Sequence, residues 1–198
     1  MKKPPPISEA TKAAILDAAW RLIAQDGLDN ASQARIAEAA GVSRQTIFYA
    51  FGSRAGLLTA MLQHMDAQSP EVGRLQALAV SPRTDAALAA EYLDAWLDYL
   101  PRIYPVAILL NAAALTDGDA RAAIDDRLVG ALLSGFTRFF TRLADTGRLR
   151  AGVDPAQAAL EIWAAVHPSA WRLLVVERGW TAEQFRQSRQ TAMQAMLA

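Results

Sequence analysis

GVSRQTIFYAFGSRAGLL, residues Gly41 to Leu58, holds the strongest local signals for turns and helix starts in the chain. It contains arginines, aromatics and hydroxyl side chains, and no acidic residue occurs anywhere from residue 39 to residue 65. Ser43 can cap a short helix that ends at Gly52, and Gly41 can adopt the left-handed backbone of a tight turn. The stretch therefore predicts a turn followed by a short helix, with a further helix starting near Ser53.

The residues before this stretch predict two more helices. Gly27 stands where a C-terminal cap of the first belongs, and Ser32 can cap the second, which keeps Ile36 and Ala37 inward and ends at Gly41. The apolar face of the first helix comprises Ile15, Ala18, Ala19, Leu22 and Ile23. The second helix, the turn GVS and the third helix together predict a helix-turn-helix.

The outer face of the third helix carries the candidate chemistry. With the apolar residues of this helix set inward on a helical wheel, Gln45 and Tyr49 point away from the core. Arg44 and Thr46 flank the first turn, where the helix dipole favours phosphate oxygens. Residues 1–54 hold seven Lys or Arg against five Asp or Glu. This arrangement predicts reading of the DNA major groove, the alternative being a solvent-facing Ala-rich helical hairpin.

The rest of the chain also predicts helices. Of its 198 residues 53% are apolar and 20% charged, which is enough for a core, and the dominance of alanine and leucine favours helix over strand. We expect an all-α fold of about nine helices. Beyond the fourth helix the expected spans are Asp85 to Leu100, Pro105 to Leu115, Asp119 to Thr146, Asp154 to near Gly179, and Thr181 to the C-terminus. Residues 69–84 are expected to be a connection with about one helical turn, and Pro168 is expected to kink the helix that contains it.

Several function classes are disfavoured by the sequence. No cysteine occurs, the two histidines have no companions at metal-ligand spacing, and no strand precedes GVSRQ as a nucleophile elbow requires. We expect no enzyme activity, no metal and no cofactor. The N-terminus has prolines where a signal peptide needs an apolar run, and the apolar stretch from Val106 to Leu115 is shorter than the roughly 18 residues of a membrane span. A soluble cytoplasmic protein without a membrane partner is expected.

Residues 8–62 resemble the N-terminal domain of the TetR family of transcriptional repressors. The resemblance rests on ILDAAWRLIAQDGLDNAS, IAEAAGVSRQTIFYAF and GSRAGLL, which occur in that order and at the spacing of the family. It implies a homodimer, a DNA-binding domain at residues 1–54 with a basic N-terminal arm, and a helical ligand-binding and dimerisation domain at residues 55–198. The expected partners are double-stranded operator DNA and a small-molecule effector.

Matching the family motif position by position implies DNA-contact roles. The matched positions are Ser32, Ser43, Arg44, Gln45, Thr46, Phe48, Tyr49 and Arg54. Arg54 stands where the family usually has a phosphate-binding lysine. Phe48 stands where the family usually has a tyrosine whose hydroxyl reaches phosphate, Gln33 replaces an apolar residue, and Ala50 replaces a common histidine.

The body carries two sets of candidate residues. An aromatic group with few polar anchors predicts an apolar ligand cavity, although aromatics at helical spacing also form cores; its candidates are Trp96, Tyr99, Tyr104, Asn111, Phe136, Phe140, Trp163, His167 and Trp171. The last two helices are expected to form the dimer interface through Ala158, Ala159, Ile162, Val166, Phe185, Ser188, Ala192, Ala195 and Met196.

These patterns lead to one function and one alternative. The chain is expected to be a sequence-specific repressor that a small apolar or aromatic ligand releases from its operator. The alternative is a helical small-molecule-binding module with weak or lost DNA binding, which Phe48 and Ala50 favour and which the retained Arg44, Gln45 and Tyr49 oppose.

Overall fold

The computed structural model describes residues 7–26 and 32–198 of the chain. These residues form an all-α fold in which the one β contact is an isolated antiparallel bridge between Leu149 and Leu197. The helices are α1 (Glu9–Asp26), α2 (Gln33–Ala39), α3 (Arg44–Phe51), α4 (Arg54–Gln68), α5 (Pro70–Ala79), α6 (Ala86–Ala113), α7 (Gly118–Asp125), α8 (Ser134–Asp145), α9 (Pro155–Ala165), α10 (Pro168–Trp171) and α11 (Ala182–Gln194). The expected cap Gly27 and the lysines of the N-terminal arm, Lys2 and Lys3, lie outside the described residues.

The chain divides into two compact units. The first comprises residues 1–68 and 105–123, and the second comprises residues 69–104 and 124–198. Helix α6 contributes to both, since residues 86–104 belong to the second unit and residues 105–113 to the first. The division into functional domains after residue 54 stays a prediction.

The core of the first unit is built from the inward faces of α1, α2, α3 and α4. The apolar face predicted for α1 is confirmed, since Ile15, Ala18 and Ala19 are fully buried. Ile36 of α2 and Ile47 of α3 are buried with them. The Trp20 indole N–H donates to the Met61 carbonyl oxygen at 3.1 Å and joins α1 to α4. This packing holds the helix-turn-helix, α2 and α3, against α1 and α4. The buried apolar side chains of α4 are Ala55, Leu57, Leu58, Met61 and Leu62.

The core of the second unit is aromatic. Phe136 and Phe139 of α8 pack against Tyr92 of α6, with ring centroids 5.2 and 4.8 Å from the Tyr92 ring. Gly135 makes this possible, because a β-carbon at residue 135 would overlap the Tyr92 ring. Burial raises the pKa of Tyr92 to about 12. Phe140, like Phe136, is fully buried.

Two expectations about α5 and α6 are wrong. Residues 70–79 form a helix of ten residues rather than a single turn. Arg102 of α6 joins Glu71 of α5 through two hydrogen bonds of 2.9 and 3.0 Å. The break expected between Leu100 and Pro105 does not occur, because α6 continues through Pro101 and Pro105. Burial of the apolar residues around both prolines offsets the lost backbone hydrogen bonds; these residues are Leu100, Ile103, Val106 and Ala107.

The helix expected from Asp119 to Thr146 is continuous but changes its winding. Residues Asp126–Leu133, between α7 and α8, form a π-helical segment. Side chains satisfy carbonyls of this widened segment, since the Trp163 indole N–H donates to the Leu128 carbonyl at 2.7 Å and the Ser134 hydroxyl to the Val129 carbonyl at 3.1 Å. Such donors stabilise a helix whose regular ladder is interrupted.

Pro168 ends one helix and starts another, so the expected kink inside a single helix is wrong. Helix α9 ends at Ala165, His167 caps α10, and Pro168 occupies its first turn. Arg189 donates to the Ala165 carbonyl at 2.8 Å and Trp96 donates to the Val166 carbonyl at 3.0 Å. These donors satisfy the carbonyls at the end of α9. A second π-helical segment, Arg172–Val176, continues α10.

Candidate DNA-binding surface

The turn between α2 and α3 is closed by backbone hydrogen bonds. Gly41 has φ +65°, its N–H donates to the Glu38 carbonyl at 3.1 Å, and the Val42 N–H donates to the Ala37 carbonyl at 2.9 Å. This pair of bonds is a Schellman motif, which requires a residue in the left-handed region. The predicted role of Gly41 is confirmed. The motif sets the angle at which α3 leaves α2.

Two serines cap the helices of this surface. Ser32 accepts from the Arg35 N–H at 3.3 Å, and Ser43 accepts from the Thr46 N–H at 3.0 Å. The Ser43 and Thr46 hydroxyl oxygens also lie 2.9 Å apart. Both serines are exposed, so their hydroxyls remain open to a phosphate oxygen while they cap. The N-terminal ends of α2 and α3 therefore present polar groups of the kind that bind anions.

The outer face of α3 combines polar and apolar groups. Gln45 and Tyr49 are exposed and joined, since the Gln45 Nε2 donates to the Tyr49 hydroxyl at 2.7 Å. Phe48 is 62% exposed, with its ring centroid 6.3 Å from that of Tyr49. Arg44 is exposed and makes no hydrogen bond or ion pair with the described residues. Ile47, on the opposite face, is 1% exposed. Helix α3 therefore packs through Ile47 and leaves its outer face exposed to solvent.

The start of α4 lies directly after α3. Gly52 ends α3 with φ +74°, and the Ser53 hydroxyl accepts from the Gly56 N–H at 2.9 Å. Arg54 is exposed at the first position of α4. Gly56 approaches the Phe51 carbonyl so closely that a β-carbon at residue 56 would overlap it. Gly56 was not predicted as a contact between α3 and α4, because the neighbouring sequence does not show that the Phe51 carbonyl lies against it.

Comparison with known proteins agrees with this geometry. A family model described as bacterial regulatory proteins, tetR family, matches residues 15–61. HTH-type transcriptional regulator RutR of Escherichia coli strain K12 is 29% identical over 167 residues, which cover 79% of this chain and 72% of RutR. Residues 15–61 therefore match the DNA-binding domain of the TetR family, and the chain is similar to a regulator of that kind over most of its length. It is a DNA-binding transcriptional regulator, and its helix-turn-helix is the DNA-binding element of that family.

Solved structures show the same fold. A transcriptional regulator from Saccharomonospora viridis in complex with choline superposes with a TM-score of 0.76 at 21% identity, covering 96% of this chain and 100% of that one. The SmeT–triclosan complex superposes with a TM-score of 0.71 at 18% identity, covering 96% and 93%. The fold of this chain is therefore shared along almost its whole length.

Most of the predicted ligand residues lie in the second unit, where they are buried or half-buried. Buried members are Trp96, Tyr99, Phe136, Phe140 and Trp171, and half-buried members are Tyr104, Trp163 and His167. Asn111 belongs to the first unit, so the structure does not place it in the same compact unit. Two of the indole N–H groups are already bound to backbone carbonyls.

Trp171 also lines a groove of about 260 Å³ in the second unit. Leu97 and Phe185 contribute buried apolar surface to it, and Asp98 and Arg186 lie at its polar side. The Arg186 guanidinium donates to the Asp94 carboxylate at 3.2 Å and also to that of Asp98. Sequence reasoning named Trp171 and missed the other lining residues, because they come from two helices far apart in sequence.

The predicted dimer residues divide into an inward and an outward set. Ala158, Ala159, Ile162, Val166 and Phe185 are buried within the single chain, so this stripe is the inner face of α9 and α11 and is not available as an outer surface. Ser188, Ala192, Ala195 and Met196 are half-buried or exposed. The outward apolar residues of the same region are Leu160, Leu173 and Val176. The role of these nine residues in a dimer stays a prediction, and five of them already pack inside the single chain.

No helix among residues 7–26 and 32–198 has the length and apolar character to span a membrane. Within the same residues, no group of three or more His, Asp or Glu side chains is arranged to hold a metal ion.

Proposed function

We propose that this protein is a homodimeric repressor that a small apolar or aromatic molecule releases from its operator. The observation that carries the proposal is the outer face of α3, where Arg44, Gln45 and Tyr49 are exposed above a buried Ile47. A helix anchored by one apolar face and polar on the other can enter the major groove without losing its own packing.

The roles on DNA follow from the chemistry of each side chain. Gln45 and Tyr49 reach base edges, and Arg44 makes a phosphate or base contact. Ser32, Ser43, Thr46 and Arg54 hold phosphate oxygens and set the position of the helix on the duplex. Phe48 has no hydrogen-bonding group and lies exposed beside Tyr49, so it makes apolar contact with a sugar or a thymine methyl group.

Dimerisation would use the outward faces of α9 to α11. Leu160 of α9 and Leu173 and Val176 of the segment after α10 are each more than half exposed, and together they would supply apolar surface to an interface. A two-fold interface would cover them and hold two copies of α3 about 34–36 Å apart or more, as half-sites on one face of DNA require.

The effector would bind in the body. The groove beside Trp171 offers an apolar floor for a small ring system, and Leu97 on its wall belongs to α6, the helix shared by both units. The relatives bound to choline and to triclosan differ in effector chemistry and support ligand binding by this fold without fixing the ligand. Coupling of about 1–3 kcal/mol would change operator affinity roughly 5- to 150-fold.

A selection experiment tests the proposal. Full-length protein is mixed with randomised duplexes, bound DNA is amplified over several rounds, and the enriched duplex is labelled for anisotropy titration. We expect an inverted repeat bound by a dimer, and aromatic compounds that raise the melting temperature should weaken this binding. Failure to enrich any sequence would contradict sequence-specific binding and favour the ligand-binding module. A stabilising compound that titrates identically with and without DNA would contradict the effector role.

A further inference from the structure

A side-chain hydrogen bond joins Gln45 and Tyr49 on the outer face of α3. Both residues lie on the exposed face of α3, one helical turn apart, with the Gln45 Nε2 donating to the Tyr49 hydroxyl oxygen at 2.7 Å. We propose that Tyr49 orients the Gln45 amide so that it recognises adenine in each half-site. This proposal rests on the proposed DNA-binding function and adds the base identity and a positioning residue.

The free hydrogen-bonding groups of Gln45 decide the base. A glutamine amide has two N–H donors and one carbonyl acceptor. One donor is used by Tyr49, which leaves one N–H and the carbonyl oxygen side by side at the tip of the side chain. That pair is complementary to a base edge that offers one acceptor and one donor.

Adenine alone offers that edge in the major groove. Its N7 accepts and its N6 amino group donates, whereas guanine presents two acceptors, cytosine a single amino donor, and thymine a single acceptor and a methyl group. An amide whose second N–H is held by Tyr49 can satisfy both groups of adenine. With guanine, the Gln45 carbonyl oxygen would face the O6 acceptor without a proton between them.

Tyr49 acts through Gln45 and is a positioning residue in this respect. A glutamine on a bare helix surface samples several rotamers and both amide orientations, and binding must then select one of them. The Tyr49 hydroxyl restricts Gln45 before DNA arrives. Since the hydroxyl oxygen accepts from Gln45, its own proton points elsewhere and can donate to a neighbouring base acceptor or phosphate.

Among the neighbouring side chains, Tyr49 is the one that orients the Gln45 amide. Ser43 and Thr46 are engaged with each other in the N-terminal cap, and Phe48 has no polar group. Arg44 is separated from Gln45 by about 100° on the helix and offers donors alone. On the outer face of α3 the Gln45 amide is therefore the one group, among the described residues, that offers an N–H donor and a carbonyl acceptor on neighbouring atoms.

The test compares base preference rather than total affinity. The duplex enriched on the wild-type protein is varied one base pair at a time, and dissociation constants are measured by anisotropy for wild type, Q45A, Y49F and Q45A/Y49F. The wild type should prefer adenine at one position of each half-site by roughly 5- to 150-fold, the range of one bidentate contact. Y49F should reduce that preference several-fold, and Q45A should remove it. The double variant should match Q45A at this position.

Controls separate this role from a structural one. Q76A removes an exposed glutamine of the second unit and should change no base preference. In the free protein, the Gln45 side-chain amide signals in a nitrogen–proton NMR spectrum should shift in Y49F. Preference for another base at the Q45A-sensitive position, or unchanged adenine preference in Y49F, would overturn the proposal while leaving DNA binding intact. Loss of all selective binding in the wild type would instead overturn the proposed function.

Discussion

Gly56 lies against the backbone carbonyl of Phe51, at a distance that leaves no room for a β-carbon. Since Phe51 is the last residue of α3 and Gly56 lies in the first turn of α4, this contact fixes the angle between the recognition helix and the helix that follows it. A backbone oxygen cannot rotate away as a side chain can, so any larger residue at position 56 must displace one of the two helices.

Gly56→Ala should destabilise the first unit by about 1–3 kcal/mol, the usual cost of overpacking, and should weaken operator binding further by misplacing α3. The measurements are urea unfolding of the full chain and anisotropy with the selected duplex. Gly73→Ala is the matched control, because a β-carbon there contacts nothing and an exposed helical glycine gains about 0.4–1 kcal/mol on replacement. Equal effects of the two substitutions would contradict the role of the Phe51 contact.

Arg54→Ala should weaken binding to all duplexes and leave base preference unchanged. Arg54 is exposed at the start of α4 and is assigned to phosphate, so its loss should reduce the slope of log affinity against log salt by about one. Titrations at four salt concentrations with the selected duplex and with a scrambled one measure this. Arg138→Ala, which removes an exposed arginine of α8, serves as the control. An unchanged slope in the Arg54 variant would place Arg54 away from the phosphates.

Leu160→Glu should dissociate the proposed dimer without unfolding the chain. Leu160 is 51% exposed on α9, so the carboxylate would be solvated in a monomer and buried without a partner in a dimer. Sedimentation at micromolar concentration should show twice the 21.4 kDa chain mass for wild type and the single chain mass for the variant. Val80→Glu, at an apolar position 81% exposed, should leave the mass unchanged. A wild-type monomer, or a Leu160 variant that remains dimeric, would contradict this interface.

Acidification should loosen the start of α10. The His167 Nδ1 accepts from the Ser169 N–H at 3.1 Å, which requires an unprotonated Nδ1, and burial lowers the pKa of His167. Because the folded state favours the neutral ring, its stabilising contribution is present above the unfolded pKa of about 6.5 and declines as pH falls below it. The His167 cap should contribute about 1 kcal/mol to the free energy of unfolding, as other N-terminal caps do.

His167→Asn should remove much of this pH dependence, since asparagine caps a helix but does not titrate in this range. Urea midpoints at pH 7.5 and pH 5.5 should differ less in this variant than in wild type. His64 is retained in both proteins and provides the internal control for the other histidine. If wild type and variant lose the same stability on acidification, the cap does not depend on His167 protonation.

Local signals in the sequence predicted the parts of the fold that local chemistry determines. The predicted roles of Ser32, Gly41 and Ser43 are confirmed because a cap depends on a few neighbouring residues. The close approach of Gly135 to the Tyr92 ring could not be predicted, since these residues lie 43 positions apart in sequence. The inner and outer faces of α9 are distinguished by what packs on them, which periodicity alone does not show.

The candidate site was predictable to a similar degree. Family spacing located Gln45 and Tyr49, and helical geometry placed them on one face, but their hydrogen bond depends on rotamers that a sequence does not specify. The unbroken course of α6 through its prolines could not be predicted either, because it depends on burial against other parts of the fold. A proline disfavours a helix interior by about 3 kcal/mol, and burial along a 28-residue helix outweighs that local cost.

The unbroken course of α6 has a mechanical consequence. Pro101 and Pro105 have no N–H, so the carbonyls four residues earlier, of Leu97 and Pro101, lose their helical donors. The chain passes from one compact unit to the other between Tyr104 and Pro105, within this weakened segment. Bending here breaks fewer hydrogen bonds than bending a complete helical ladder, whereas the covalent backbone still resists stretching and compression. Helix α6 is thus easier to bend between Leu97 and Pro105 than a helix with every backbone hydrogen bond, while its length along the axis stays fixed.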